Sequence, residues 1–518
     1  MSDMSDSRKQ HRALYKRTSI SRDPEEARRR RVAINESLRK KHREQLITAK
    51  RFRHLTRREE QESAGESDAE DDAANIHDAD IDPYYRLSAA QVEELARDLR
   101  SGEKTVRLEA LEYLGKFLLE PAQALIDYIT QGDCIATLTR MLSSHDPDEI
   151  IQSAKVISNI AAGPYSLWIK SVSTVPYLIG LLNSDNVTLR DIAAGAIGNM
   201  AAEDLGDMTT EDDEVRATIR KNGAVLPLIR MLDTKDSRMV QSACFALANL
   251  ARASENELRE FLDAGIYDKL VQHLTNHTAD TTTEVCWVMS YLSANSKTFR
   301  KELLQDKSLT PLVKSLKQLS VDGAIVLPVL RTLGNIAGDS DDAIDKLLNQ
   351  PGFLATVVKL TQGEHRAVKK EALWVLSNIT ASERYQVIEQ VENAGAAPLL
   401  INLVTHGGFD IRKGAAYCLM NMALHGEKFL FSMPHEQVLP GFLALVRSQD
   451  AELIRLGLTY VDLLLNRVPQ GKAIMGNTPD STEALAAVAP APDPELYALA
   501  NKLVDQYYEG APEEEMAE

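Results

Sequence analysis

One polar residue recurs at a nearly constant interval inside apolar segments of the chain, and its side chain can make hydrogen bonds. The positions form what we call the asparagine column: Asn159, Asn199, Asn249, Tyr291, Asn335, Asn378 and Asn421. They are separated by 40, 50, 42, 44, 43 and 43 residues. A carboxamide carries both a donor and an acceptor, so a row of them can bind the backbone of an extended peptide without reading its sequence. The alternative is that each asparagine packs or caps near the end of its helix.

A companion column lies four residues before the asparagine column, and we call each such pair a rung. Its members are Lys155, Gly195, Phe245, Trp287, Arg331, Trp374 and Tyr417. Residues i and i+4 share one face of a helix. Aromatic rings on that face can stack on the stems and charges of Lys or Arg. Together the two columns favour a groove that binds a basic peptide over a role in packing alone.

The chain shows none of the common sequence patterns of catalytic or metal sites. GxGxxG, GxxxxGK[ST], GxSxG and HExxH are absent, and the histidines are scattered. The cysteines lie far apart in apolar stretches, which predicts buried free thiols in a reducing compartment. They are Cys134, Cys244, Cys286 and Cys418. We therefore predict no enzymatic activity, no catalytic residue, no metal and no cofactor.

Repeated helices must position the two columns. The apolar residues around them recur at helical spacing, and Gly, Pro and Asp or Asn mark breaks between helices. A repeat of 40–47 residues built from two or three helices is typical of an armadillo or HEAT solenoid. Because no single repeat can bury its apolar face, the stacked repeats share one elongated core and present one long surface.

Charge divides the chain into segments. Residues 1–60 hold 19 Lys and Arg against 9 Asp and Glu, whereas the whole chain carries a net charge of −17. We predict a basic arm at 1–60, an acidic disordered linker at 61–83, the repeats at 84–470, and a C-terminal helix and acidic tail at 471–518. No signal peptide and no apolar run of about eighteen residues is present, which indicates an intracellular, soluble protein.

The basic arm could bind nucleic acid, a membrane or a protein. An acidic body would repel phosphates over most of its surface. Ile34, Leu38 and Leu46 form only a thin apolar stripe. A membrane-binding helix needs a broad apolar face with bulky aromatics, which Phe52 alone does not supply. A protein partner with an acidic surface fits best, and a merely solvated charged helix is the remaining alternative.

The aromatic–x₃–Asn ladder, together with the basic stretch RRRRVAINESLRKKHREQLITAKRFR, resembles the importin-α (karyopherin-α) family of nuclear import adaptors. The resemblance implies an all-α, right-handed armadillo-repeat solenoid with a flexible N-terminal basic arm. It also implies basic cargo proteins and importin-β as partners, and shuttling between cytoplasm and nucleus. An export receptor is a further implied partner, although residues 450–518 match the family poorly. We expect no direct nucleic-acid contact, no membrane insertion and a monomer when free.

The resemblance implies roles for particular residues of the repeats. The minor cargo groove, on repeats six to eight, comprises Arg331, Asn335, Glu371, Trp374, Asn378, Tyr417 and Asn421. Tyr417 stands where the family has Trp, and Gly414 where it has an acid. Asp339 and Asp341 follow Asn335 and could attract a cationic side chain.

The major cargo groove, on repeats two to four, departs from the family. Its implied members, with Trp287 and Tyr291 of the fifth repeat, are Asn159, Gly163, Asn199, Glu203, Phe245 and Asn249. Lys155, Gly195 and Phe245 replace three tryptophans, and Glu203 replaces an aspartate. Lys155 would repel an incoming lysine, so ordinary single-cluster signals should bind weakly here.

The resemblance also assigns roles to the basic arm. The implied importin-β contacts are Arg28, Arg29, Arg30, Arg31, Leu38, Arg39, Lys40, Lys41 and Arg43. Lys50, Arg51 and Arg53 of KRFR resemble a short localisation signal, which suggests that the arm occupies the chain's own groove when no carrier is bound. A divergent scaffold or chaperone dedicated to one or a few cargo proteins is the alternative function.

Overall fold

The computed structural model describes residues 87–118, 121–202, 210–274, 278–321, 323–488 and 494–508. Within these ranges every regular element is a helix. The basic arm, the acidic linker, Glu203 and the C-terminal acidic tail lie outside the described residues. The expectations placed on the arm, from Arg28 to Arg53, therefore concern residues that the structure does not describe.

The chain divides into two compact units, and the division falls between Leu270 and Val271. The helices of the first unit are α1 (Ala89–Asp98), α2 (Lys104–Phe117), α3 (Gln123–Gln131), α4 (Cys134–Leu142), α5 (Pro147–Ala161), α6 (Tyr165–Ser171), α7 (Val175–Leu182), α8 (Val187–Ala202), α9 (Thr210–Lys221), α10 (Val225–Arg230), α11 (Ser237–Leu250) and α12 (Arg259–Asp263). A short 3-10 helix, Val172–Thr174, precedes α7. Helix α13 (Ile266–Gln272) crosses the division.

The second unit continues with helices as far as Tyr508. They are α14 (Ala279–Asn295), α15 (Lys297–Leu303), α16 (Asp306–Leu319), α17 (Leu327–Ala337), α18 (Asp341–Leu348), α19 (Phe353–Leu360), α20 (Arg366–Thr380), α21 (Tyr385–Asn393), α22 (Ala396–His406), α23 (Phe409–His425), α24 (Glu427–Ser432), α25 (His435–Val446), α26 (Ala451–Arg467), α27 (Gly471–Asn477), α28 (Ser481–Ala486) and α29 (Pro494–Tyr508). A short 3-10 helix, Gly323–Val326, leads into α17.

The helices begin where local chemistry favours a start. The Asp236 carboxylate accepts a hydrogen bond from the Arg238 backbone N–H at 3.0 Å and so caps α11. Pro147 occupies the first turn of α5, where a missing N–H costs nothing. Gly352 and Gly395 both have a φ of 76° directly before a helix, a conformation that strongly favours glycine. The Gly, Pro and Asp breaks of the sequence are therefore real helix boundaries.

The third helix of each repeat packs on the third helices of its neighbours. In the first unit, α2, α5, α8 and α11 contact one another in that order. In the second unit the same succession is α14, α17, α20 and α23. Every residue of the asparagine column and of the companion column lies on one of these third helices.

The thiols behave as the sequence predicts. All four cysteines are buried and free, which confirms that prediction. Burial raises the pKa of the Cys134 thiol to about 12, so little thiolate forms at neutral pH. Among the described residues, no three or more His, Cys, Asp or Glu side chains cluster as metal ligands would. The helices of these same ranges are too short or too polar to cross a membrane.

Candidate peptide-binding site

The asparagine column joins adjacent repeats through its amide nitrogens. In the first unit, Nδ2 of Asn159, Asn199 and Asn249 donates to the carbonyl oxygens of Gly115, Ser158 and Gly198 at 3.2, 3.4 and 3.4 Å. Each acceptor is the residue directly before the equivalent column position of the preceding third helix. The packing role that the sequence left open is therefore present for the –NH₂ group.

The second unit repeats this arrangement. Nδ2 of Asn335, Asn378 and Asn421 donates to the carbonyl oxygens of Ser290, Gly334 and Ser377 at 3.0, 2.9 and 3.0 Å. Each such bond contributes roughly 0.5–1.5 kcal/mol to stability. Asn249, Asn335 and Asn421 use their Nδ2 for two bonds within the chain, whereas Asn159, Asn199 and Asn378 use it for one. The carboxamide oxygen and, at those three positions, a second N–H are therefore the groups that could serve a ligand.

Two of those oxygens have no hydrogen-bond partner in the part of the chain that the structure describes. They are Oδ1 of Asn199 and Oδ1 of Asn378, and both atoms are buried. An unpaired buried acceptor is uncommon in native proteins, because it loses its bond to water and gains nothing in return. An N–H group from a bound peptide would satisfy it.

The register of these bonds reveals a rung that the sequence analysis missed. The acceptor Gly115 places Lys116 at the column position of α2, and Glu112 at the companion position. The Lys116 Nζ lies 3.0 Å from Glu112 Oε1. The spacing from Lys116 to Asn159 matches the period of the later repeats, so a search by interval alone, without requiring asparagine, could have found it.

Two aromatic companion residues pack directly against glycines of the preceding third helix. The rings of Phe245 and Trp374 cover Gly198 and Gly334 so closely that a Cβ at either glycine would overlap the ring. The same two glycines supply the carbonyls for Asn249 and Asn378. One glycine therefore receives both members of a rung, the ring on its Cα and the amide on its oxygen.

Arg331 and Glu371 form a buried ion pair between neighbouring repeats. The Arg331 Nη2 lies 3.0 Å from Glu371 Oε1, and the two side chains are 8% and 6% exposed. The Arg331 guanidinium also lies over the Trp287 ring, at 5.5 Å from its centroid. The other carboxylate oxygen of Glu371, Oε2, is buried and has no hydrogen-bond partner among the described residues. An acceptor with residual negative charge therefore lies next to the Trp374 rung.

The two aspartates after Asn335 differ in their surroundings. Asp339 Oδ1 accepts a hydrogen bond from Arg300 Nε at 2.8 Å, and the aspartate side chain is 9% exposed. The cation that Asp339 was expected to attract is thus provided by the chain itself. Asp341 begins α18 and is half-buried.

Tyr417 and Gly414 stand where the family resemblance implies a tryptophan and an acid. In each case the contacts of the residue in this structure explain its type. The Tyr417 hydroxyl donates to Glu452 Oε1 at 2.9 Å, and Lys413 Nζ lies 6.0 Å from the ring centroid. A Cβ at Gly414 would lie 3.0 Å from the Leu373 Cβ, which is tighter than ordinary packing. An acidic side chain at Gly414 would force α20 and α23 apart.

The rungs of the two units differ in exposure. Lys155 and Asn159 are half-buried, and a Cβ at Gly195 would find only the Ser158 Oγ nearby, at 4.0 Å. Trp374 and Asn378 are 1% and 0% exposed, so peptide binding at their rung requires the atoms that cover them to move away.

Gly163 follows α5 where a Cβ would lie 2.9 Å from the Ile160 carbonyl oxygen, which accounts for the glycine.

Comparisons with known proteins agree on the fold. The family model described as "Armadillo/beta-catenin-like repeat" matches residues 212–252. A crystal structure of an engineered protein covers 81% of this chain and 99% of its own, with a TM-score of 0.66 at 24% identity. The armadillo-repeat solenoid predicted from the sequence is thereby confirmed.

Two plant proteins resemble the chain over nearly their full lengths. Importin subunit alpha-9 of Arabidopsis thaliana is 30% identical and covers 93% of this chain and 94% of its own. Importin subunit alpha-2 of Oryza sativa subsp. japonica is 29% identical, with coverage of 96% and 95%. The similarity therefore extends well beyond the single repeat that the family model matches.

Proposed function

The chain belongs to the importin-α family, and on that premise we propose that it is a nuclear import adaptor. Its rungs bind basic localisation-signal peptides of cargo proteins. Its N-terminal basic arm, from Arg28 to Arg43, docks on importin-β. The adaptor accordingly shuttles between cytoplasm and nucleus.

The observation that carries this proposal is the hydrogen-bonding state of the asparagine column. Its amide nitrogens hold the repeats together, whereas the Asn199 and Asn378 oxygens have no partner within the described residues. Carboxamides that recur on successive third helices suit an extended peptide, which presents an N–H group at nearly every residue, and in each unit one of them has a buried oxygen for such a group.

Charge near the Trp374 rung supports a preference for basic peptides. Glu371 Oε2 is buried without a hydrogen-bond partner in the described chain, and Trp374 lies three residues further along α20. A lysine side chain could place its ammonium at the carboxylate and its apolar stem against the ring. Charge-assisted hydrogen bonds of this kind are stronger than neutral ones.

The side chains of the first unit favour a second candidate function, with a narrower range of cargo proteins. Lys155 and Gly195 leave two of its rungs without an aromatic ring, and Lys155 adds a positive charge. A scaffold or chaperone dedicated to one or a few cargo proteins could tolerate such a loss of general affinity.

A pull-down of importin-β with the full chain, run beside a titration of a fluorescent lysine-rich peptide, tests the proposal. We expect both to bind, and we expect the double variant Arg28→Glu, Arg29→Glu to lose importin-β and retain the peptide. The control, Arg57→Glu with Arg58→Glu, changes the charge of the arm equally and should retain both. Peptide binding without any importin-β capture would favour the dedicated scaffold. If the wild-type chain binds neither importin-β nor the peptide, the proposal is contradicted.

A further inference from the structure

The hydrogen-bond register establishes which residues occupy companion positions in the first unit. Asn159 and Asn199 bond to Gly115 and Ser158, each one residue before a column position. Lys155 therefore stands on α5 where Phe245 stands on α11. Its position follows from contacts between helices and not from sequence alignment alone.

Lys155 carries a charge that the described chain does not neutralise. Its side chain is half-buried and forms no ion pair or hydrogen bond with any described residue. Three acids of α2, α5 and α8 are already paired with other basic residues, whereas Glu109 of α2 is exposed. Glu112 binds Lys116, Glu149 binds Arg107, and Asp191 binds Arg238.

The surface next to Lys155 is open. The following companion position is Gly195, whose absent side chain leaves Ser158 Oγ as the nearest atom to a Cβ, at 4.0 Å. The first aromatic residue at a companion position of this unit is Phe245, whose ring lies on Gly198. A peptide side chain therefore meets no aromatic ring at the Gly195 position, the companion position next to that of Lys155.

We propose that the Lys155 rung is a subsite for a carboxylate, so that the first unit selects an extended segment with an aspartate or glutamate opposite Lys155. The inference rests on the proposed function, because it assumes that an extended peptide lies along the asparagine column. The ammonium supplies charge complementarity, and Asn159 beside it can accept a backbone N–H through its oxygen. Cargo segments for this chain thus have mixed charge, with an acid inside an otherwise basic run.

The test uses the full chain and a set of fluorescein-labelled peptides: hexalysine, and the six peptides in which one lysine is replaced by glutamate. Wild type is compared with Lys155→Glu and with the neutral variant Lys155→Met. Lys170→Glu is the matched control, because Lys170 is an exposed lysine of the same unit away from the columns. Thermal unfolding of each variant checks that the fold is retained.

We expect one glutamate peptide to bind the wild type about three- to fivefold more tightly than the other glutamate peptides, as one ion pair allows. Lys155→Glu should make that peptide the weakest, Lys155→Met should abolish its advantage, and Lys170→Glu should preserve it. The same rank order in wild type and Lys155→Glu would overturn the carboxylate subsite while leaving the import-adaptor proposal intact. If no peptide binds the wild type, both are overturned.

Discussion

Asn378 donates a hydrogen bond from Nδ2 to the carbonyl oxygen of Gly334 at 2.9 Å, across a separation of 44 residues in the chain. Trp374, one turn earlier on the same helix, covers that glycine with its ring. Likewise, the Phe245 ring covers Gly198, and Asn249 Nδ2 donates to the Gly198 carbonyl oxygen. The residues proposed to contact a peptide therefore also hold the repeats together, so substitutions among them act on stability as well as on binding.

Gly198→Ala should destabilise the first unit. The new Cβ overlaps the Phe245 ring, and overpacking of this kind costs about 1–3 kcal/mol. Gly195→Ala, on the same helix, is the matched control, because its Cβ meets only Ser158 Oγ at 4.0 Å. The control should gain roughly 0.5–1 kcal/mol from the higher helix propensity of alanine. Urea denaturation measures both, and equal effects would contradict the close ring packing.

Glu371→Gln should weaken binding of a lysine-rich peptide by roughly fivefold, because the amide removes the negative charge next to the Trp374 rung. Glu149→Gln is a matched control: Glu149 is also buried and also paired with an arginine, Arg107, but it lies off the columns. Both variants should lose similar stability, since each leaves a guanidinium without its carboxylate. Peptide titration separates them, and an equal loss of affinity would assign the effect to the fold.

Gly195→Trp should raise the affinity for a lysine-rich peptide by about two- to fivefold, since the ring would add a cation–π surface to an open position. Gly180→Trp is the control, because Gly180 is exposed on α7 and a Cβ there has no neighbour within 4 Å. A gain in the control as large as in Gly195→Trp would point to nonspecific binding by the added tryptophan.

His435 should make the second unit less stable in acid. Its Nδ1 lies 2.8 Å from the Tyr460 hydroxyl and its Nε2 lies 2.7 Å from the Leu430 carbonyl oxygen. Burial holds the pKa of His435 below its ordinary value of 6.5, because desolvation disfavours the imidazolium. The unfolded chain therefore binds more protons as the pH falls below 6.5, and stability is lost in that direction.

Urea denaturation at about pH 7.5 and about pH 5 measures this dependence. His435→Gln should be less stable near neutrality and should show a smaller loss in acid. His406→Gln, which changes an exposed histidine of the same unit, should keep the dependence of the wild type. If His435→Gln also keeps it, the acid sensitivity arises elsewhere.

The sequence alone determined the repeat and the chemistry of its rungs. Spacing near 43 residues, helical apolar periodicity and the breaks at Gly, Pro and Asp were enough to predict armadillo repeats, because each of these signals is local or strictly periodic. The spacing of four residues also placed Trp374 and Asn378 on one face of one helix. It could not say which atoms of the asparagine were already in use.

The tertiary structure alone decided the pairing between repeats. Asn378 bonds to Gly334, Asp339 to Arg300 and Glu371 to Arg331, and each pair is about one repeat apart in sequence. Such partners depend on the distance and rotation between stacked helices, which a helical period does not contain. For that reason the sequence could name Lys155 as a replaced tryptophan, but only the packing of α5 against α2 and α8 showed a lysine without a described partner beside an open surface.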